Sequence, residues 1–162
     1  MLGIKNIDKK FNNRNVKIVA KNKKALHNYH VIESLEVGVL LKGTEVKSLR
    51  NGKVHFTDSF ASIQENEVWL ENMHISPYDK TVFFNHEPRR KRKLLLHRHQ
   101  IKRLLGKVKE RGYTLVPLIL YFDEHNRAKM ELALCKGKHA FDKSADIAKR
   151  DSERDMQREM KH

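Results

Sequence analysis

His97 and His99, one residue apart, could supply two imidazole ligands to a metal ion, with the single cysteine, Cys135, as a third. Arg98 stands between the histidines, so a cation would be repelled there, and the spacing matches no zinc pattern. Solvent-facing or RNA-facing roles suit these histidines better. Ser48, Ser59 and Ser62 lie outside any G-x-S-x-G elbow, and neither G-x-x-x-x-G-K-[ST] nor G-x-G-x-x-G occurs. Glu45 and Asp58 are candidate general acids only in the sense that any carboxylate is. The residues spell no assembled active site, metal site or cofactor site, and an enzyme is not expected.

The cations carry more information. Arg89, Arg90, Lys91, Arg92 and Lys93 are consecutive, Pro88 fixes the entry to them, and Arg98, Lys102, Arg103, Lys107 and Lys109 continue the charge. Few acids lie nearby in sequence, and such density fits phosphate contact with counterion release. Lys136, Gly137, Lys138 and His139 form a second cluster, in which glycine permits close backbone approach. Arg150, Arg154 and Arg158 recur every four residues, which on a helix makes one basic stripe extended by Lys161. Over 162 residues, 34 Lys and Arg against 20 Asp and Glu give a net charge of +14. The isoelectric point near 9.9 is ordinary for a nucleic-acid binder.

Composition also bounds the architecture. The length suits one domain with tails, and 39% hydrophobic residues is low enough that part of the chain should lie outside the core. One cysteine excludes a disulfide framework. No apolar run is long enough for a membrane span, and no signal-peptide pattern follows the first lysines, so a cytoplasmic protein without a membrane partner is expected. Residues 1–26, rich in Lys and Asn, are expected to be mobile or only locally paired, residues 27–138 to form the folded domain, and 139–162 to form a charged tail. That tail is short and poor in apolar groups, so it is expected to become helical on binding.

Several elements can be placed. Tyr29–Leu41 alternates with period two, with Val31, Leu35, Val37, Val39 and Leu41 on one face and Glu36 and Gly38 on the other. Val46 and Leu49 suit a helical turn between Gly43 and Gly52. Strands are expected at Ser59–Gln64 and Glu67–Asn72 around a tight Glu65-Asn66 turn, and a short one near Thr81–Phe84. Leu94–Arg111 reads as a helix with a stripe at Leu94, Ile101, Leu104, Leu105 and Val108, stopped by Gly112. Leu115–Phe122 reads as a buried strand that Pro117 pushes toward an edge or a bulge. Arg127–Leu134 alternates, with Ala128, Met130, Leu132 and Leu134 inward and Arg127, Lys129 and Glu131 outward. Short antiparallel strands with one helix before the last hairpin suggest a small OB-type β-barrel, a sandwich being the alternative.

Taken together, Gly43–Arg50 (GTEVKSLR), Arg92–His97 (RKLLLH), Lys107-Val108, Gly112–Leu118 (GYTLVPL), Lys136-Gly137-Lys138 and Asp142-Lys143 resemble the SsrA-binding protein family over roughly residues 22–158. The resemblance implies an OB-type barrel that binds the tRNA-like domain of transfer-messenger RNA, and a tail that enters the decoding region of a stalled ribosome. Partners it implies are that RNA and the ribosome (16S rRNA and the mRNA channel), with elongation factor Tu a candidate third through the RNA complex. Glu36, Leu95, His97, Lys129, Lys136, Gly137 and Lys138 match the family's RNA-contacting positions. Lys47, Arg50, Arg92 and Lys93 are added as candidate RNA contacts on charge. In the tail, Asp142 and Lys143 match the decoding-region element, where Ser144 replaces an expected arginine, and Arg150, Arg154 and Arg158 supply the stripe.

Overall fold

The structure, a computed structural model, describes residues 4–110, 112–138, 154, 156 and 157. Its elements are α1 (Ile4–Asn12), β1 (Lys17–Lys21), α2 (Lys23–Asn28), β2 (Tyr29–Val39), α3 (Gly43–Arg50), β3 (Val54–His55), β4 (Phe60–Gln64), β5 (Glu67–Glu71), β6 (His74–Ile75), β7 (Arg92–Leu95), α4 (Arg98–Val108), β8 (Tyr113–Phe122) and β9 (Ala128–Gly137). The long strands run in the order β8-β4-β5-β7-β2-β9, and β9 pairs back with β8, closing a ring of antiparallel strands. Closure leaves no exposed sheet edge along that ring. Strands β3 and β6 form a separate two-stranded ladder.

Alternation along each strand fills the ring. Val37, Val39, Val68, Leu70, Leu94, Leu115, Leu120, Met130, Leu132 and Leu134 point inward, and α3 and α4 contribute Leu49 and Leu104 to the same core. The Glu65-Asn66 turn has φ of 52° and 61°, the paired left-handed conformation of a two-residue hairpin. Strand β8 is apolar at nearly every position because both of its faces are covered. Its outer face meets a second cluster in which Val116, Leu118, Ile119, Tyr121, Ala133 and Cys135 pack with Ile7 and Phe11 of α1 and Ala25 of α2. A bulge falls between Pro117 and Ile119. There the edge of β8 is taken up by Asn22, whose Nδ2 donates to the Pro117 carbonyl (2.9 Å) and whose backbone N–H donates to Leu118 (2.7 Å).

Four expectations change. Residues 4–26 are not a loose arm: α1 docks by Ile7 and Phe11, four apart on one helix face, and β1 pairs with β8. Their apolar groups are few, but the outer face of β8 offers them a ready apolar partner. The predicted helix at Leu94–Arg111 is shorter. Arg92–Leu95 is strand β7, hydrogen-bonded to β5 and β2, and α4 begins after His97, where Gln100 Oε1 accepts the His97 N–H (2.9 Å). Leu94 fits a helical stripe and an alternating strand equally, and pairing decides. Residues 81–84 form no strand but an exposed turn. Glu131 lies on the outward face as expected, yet it is fully buried, because α1 covers it and Lys10 Nζ reaches its carboxylate (2.5 Å).

Candidate nucleic-acid interface

Gly38 is the centre of one outer surface. It lies opposite Leu95 of β7 on one side and Lys129 of β9 on the other, so three strands present Leu95, Gly38 and Lys129 in one row. Glu36, two residues earlier on β2, faces the same way. A Cβ at position 38 would stand 3.2 Å from Leu95 Cδ1, so glycine here lets the leucine lie across the sheet. Leu95 is 51% exposed, unusual for a leucine on a central strand. This row borders an open cleft of about 1230 Å³, also lined by Lys93, His97, Arg98 and Lys102. His97 and His99 stack at 5.6 Å with nearly parallel rings at the start of α4. Cys135, the third ligand considered, is buried in the outer cluster, and burial pushes its thiol pKa up to about 12.

Five expected contacts, Glu36, Lys93, Leu95, His97 and Lys129, therefore meet in one cleft. Two further residues, invisible to sequence reasoning, hold its acid. Arg14 donates to Glu36 Oε2 (2.7 Å), and the buried Tyr121 hydroxyl donates to the same oxygen. Partial burial works to raise the Glu36 carboxyl, but the hydrogen bonds from Tyr121 and Arg14 outweigh it and hold its pKa below the usual range. The Arg14 guanidinium also sits over the Phe11 and Tyr121 rings at 5.6 and 5.8 Å. Arg14 lies in the Lys- and Asn-rich segment of residues 1–26, where no periodicity points to it.

The remaining candidates are placed elsewhere. Lys136 and Gly137 end β9 and Lys138 follows them; Gly137 is eight residues from Lys129, or about 26 Å along the strand. Lys136 Nζ lies 5.7 Å from the centre of the Tyr113 ring. Lys47 and Arg50 are exposed on α3 and do not line the cleft; Lys47 Nζ sits 5.4 Å over the Tyr78 ring. Arg154 has helical backbone and is exposed, whereas Asp142, Lys143, Arg150 and Arg158 lie outside the described residues.

Arg92 is a correction. It is fully buried and cannot face RNA in this fold. Its Nε donates to Glu45 Oε2 (2.5 Å), and its other nitrogens donate to the Met73 and Pro88 carbonyls. Arg90 reaches the other Glu45 oxygen (2.5 Å), and Lys91 and Lys93 pair with Glu71 (3.4 Å) and Glu67 (2.9 Å). The run looked short of acids because its partners are distant in sequence. Burial alone would raise the Glu45 carboxyl, but hydrogen bonds from Arg90 and the Lys42 backbone, with Arg92 beside it, hold its pKa low.

The chain is similar to known proteins. The family model described as "SmpB protein" matches residues 19–162. Proteins named "SsrA-binding protein" are 55% identical over 145 residues in Carboxydothermus hydrogenoformans (90% of this chain, 97% of that one) and 59% identical over 146 residues in Treponema denticola (90% and 94%). Another of that name, in Mycobacterium tuberculosis, is 57% identical over 143 residues (88% and 89%). A chain from a solved structure described as "tmRNA-SmpB: a journey to the center of the bacterial ribosome" is 54% identical, with a TM-score of 0.65, covering 75% of this chain and 85% of that one.

Proposed function

The chain belongs to the SmpB family, and from that premise we propose that it binds the tRNA-like domain of transfer-messenger RNA and delivers it to stalled ribosomes. There translation resumes on the internal reading frame of the RNA, and the ribosome is released with a tagged product. The closed ring of strands is read as an OB-type barrel whose outer surface at Gly38 takes the RNA. One observation supports this most directly: pairing across Gly38 gathers Leu95, Lys129, Glu36 and His97, which are far apart in sequence, at one cleft.

Each side chain there has a role suited to RNA. The carboxylate of Glu36, kept ionised and oriented by Arg14 and Tyr121, can accept from base amino groups. Lys129, Arg98 and Lys102 meet phosphates. His97 stacks on a nucleotide and Leu95 gives it an apolar shelf. Lys136, Gly137 and Lys138 extend the contact along β9. Asp142 and Lys143, with the Arg150, Arg154 and Arg158 stripe, are assigned to the decoding region. The chain works by binding, without covalent chemistry or a cofactor, in the cytoplasm, and contact with elongation factor Tu through the RNA complex belongs to the same reading.

A titration of the purified protein against the isolated tRNA-like domain and an ordinary tRNA, at several salt concentrations, tests it. The tRNA-like domain should bind far tighter, with a gap that persists at high salt. Lys129→Ala should weaken that binding without lowering the melting temperature. Equal binding of both RNAs, collapsing together with salt, would mean that the +14 charge alone is responsible and that this is a general RNA binder.

A further inference from the structure

The most exposed apolar side chains of the described residues lie together, outside the cleft. Val82, Phe83 and Phe84 are 88%, 75% and 99% exposed at the tip of the loop between β6 and β7. Three large apolar groups in water contribute nothing to the core, and clustered exposure of this kind marks an interaction site.

The loop is held rather than loose. Asn85 Oδ1 accepts from the Tyr78 N–H (3.1 Å), and its Nδ2 donates to the carbonyls of Tyr78 (2.9 Å) and Thr81 (3.3 Å). His86 is buried at the root, 2.9 Å from both the Ile75 carbonyl and Thr44 Oγ1. Phe84 has a φ of 59°, the left-handed region that a bulky residue seldom adopts, so the turn carries backbone strain to present that ring. Presentation on a pinned turn lowers the ordering cost of binding.

Two cations belong to the same loop region. Lys47 of α3 lies over Tyr78 at the root, and Lys80 is exposed beside the tip. Aromatic faces interleaved with cations suit unpaired nucleotides, whose bases stack while their phosphates are neutralised. Two consecutive phenylalanines, rather than aliphatic residues, point the same way. Position selects the RNA: β7, which follows this loop, lines the cleft from Lys93 to Leu95, whereas no residue of the loop itself lines it. That separation favours an RNA other than the one held at Gly38.

We propose that Phe83 and Phe84, with Lys47 and Lys80, form a second RNA site that stacks on an unpaired nucleotide of ribosomal RNA. The inference rests on the proposed function for its partner, and it gives a role to Lys47, which is exposed and has no place in the cleft.

The test uses the full-length protein with Phe83→Ala/Phe84→Ala and Phe83→Leu/Phe84→Leu. Each is titrated against the tRNA-like domain alone and, with full transfer-messenger RNA, against stalled ribosomes. The alanine pair should leave the melting temperature and the affinity for the tRNA-like domain unchanged, and weaken ribosome binding about tenfold or more. The leucine pair should not restore it. In a Phe84→Trp variant, the fluorescence gained over wild type should be quenched by ribosomes and not by the tRNA-like domain. Rescue by leucine would overturn the proposal in favour of apolar docking on a protein or lipid. Parallel loss on both partners would assign the loop to the cleft, and no loss on ribosomes would remove it from RNA binding. Wild-type protein that fails to discriminate the tRNA-like domain from tRNA would sink the cleft reading instead, while the ribosome arm still reads the loop.

Discussion

Arg92 and its four cationic neighbours look interchangeable as letters, yet their environments separate them into different physics. Arg89 is exposed and Lys93 lines the cleft, while Arg92 is sealed in with Glu45 and two backbone carbonyls. Removing one partner of a buried ion pair leaves an uncompensated charge, costing about 3–5 kcal/mol. Arg92→Ala should therefore lower the melting temperature by roughly 10 °C, while affinity for RNA, read where the variant is still folded, stays near wild type. The pH dependence has a definite sign. Glu45 is held below its ordinary pKa of 4.5, so the folded state binds its proton less readily than the unfolded one. Its stabilisation is complete above the unfolded value and is lost as pH falls through the folded one. Acid unfolding monitored by circular dichroism should show this loss below about pH 5, and Glu45→Gln should remove that part of the pH dependence. An Arg92→Ala protein as stable as wild type would contradict the buried-pair account.

Elements differ in how much of their placement is written locally. Strand β9 and the stretch of β2 from Leu35 to Val39 alternate so regularly that their faces could be assigned without a structure, and Glu36 and Lys129 face outward as expected; Val31, expected on the inner face, lies in the outer cluster because a bulge falls between it and Glu33. The hairpin at Glu65-Asn66 was legible because only two polar residues separate two strand-like runs, and both take the left-handed conformation that such a turn requires. Helix α1 was not legible: its apolar residues are few, and their value depends on an outer face of β8 that is distant in sequence. Phe11 is nearly fully buried there, with its ring 4.9 Å from Tyr121 in an edge-to-face arrangement. Phe11→Ala should cost about 3 kcal/mol. Hydrogen exchange should then speed up in α1 and at the outer-face strands while the ring core stays protected. If exchange in α1 is as fast in wild type as in the variant, the helix does not dock and Arg14 does not reach Glu36.

For the whole molecule, the division between a folded RNA binder and a charged tail predicts separable losses. Deleting residues 139–162 should leave affinity for the tRNA-like domain near wild type and abolish peptide tagging on stalled ribosomes in a reconstituted system. Parallel loss of both would mean that the tail is part of the first binding step. What the sequence determined by itself was the class of partner, the faces of β9 and of β2 beyond its bulge, and much of the ring's inner core. Charge, period-two alternation and turn chemistry are properties of neighbouring residues, and they survive in a linear reading. The tertiary structure decided which cations are free, that β7 is a strand, that α1 covers Glu131, and that Arg14 and Tyr121 hold Glu36. Each of these depends on a partner brought from far along the chain, by closure of a ring in which distant strands pair.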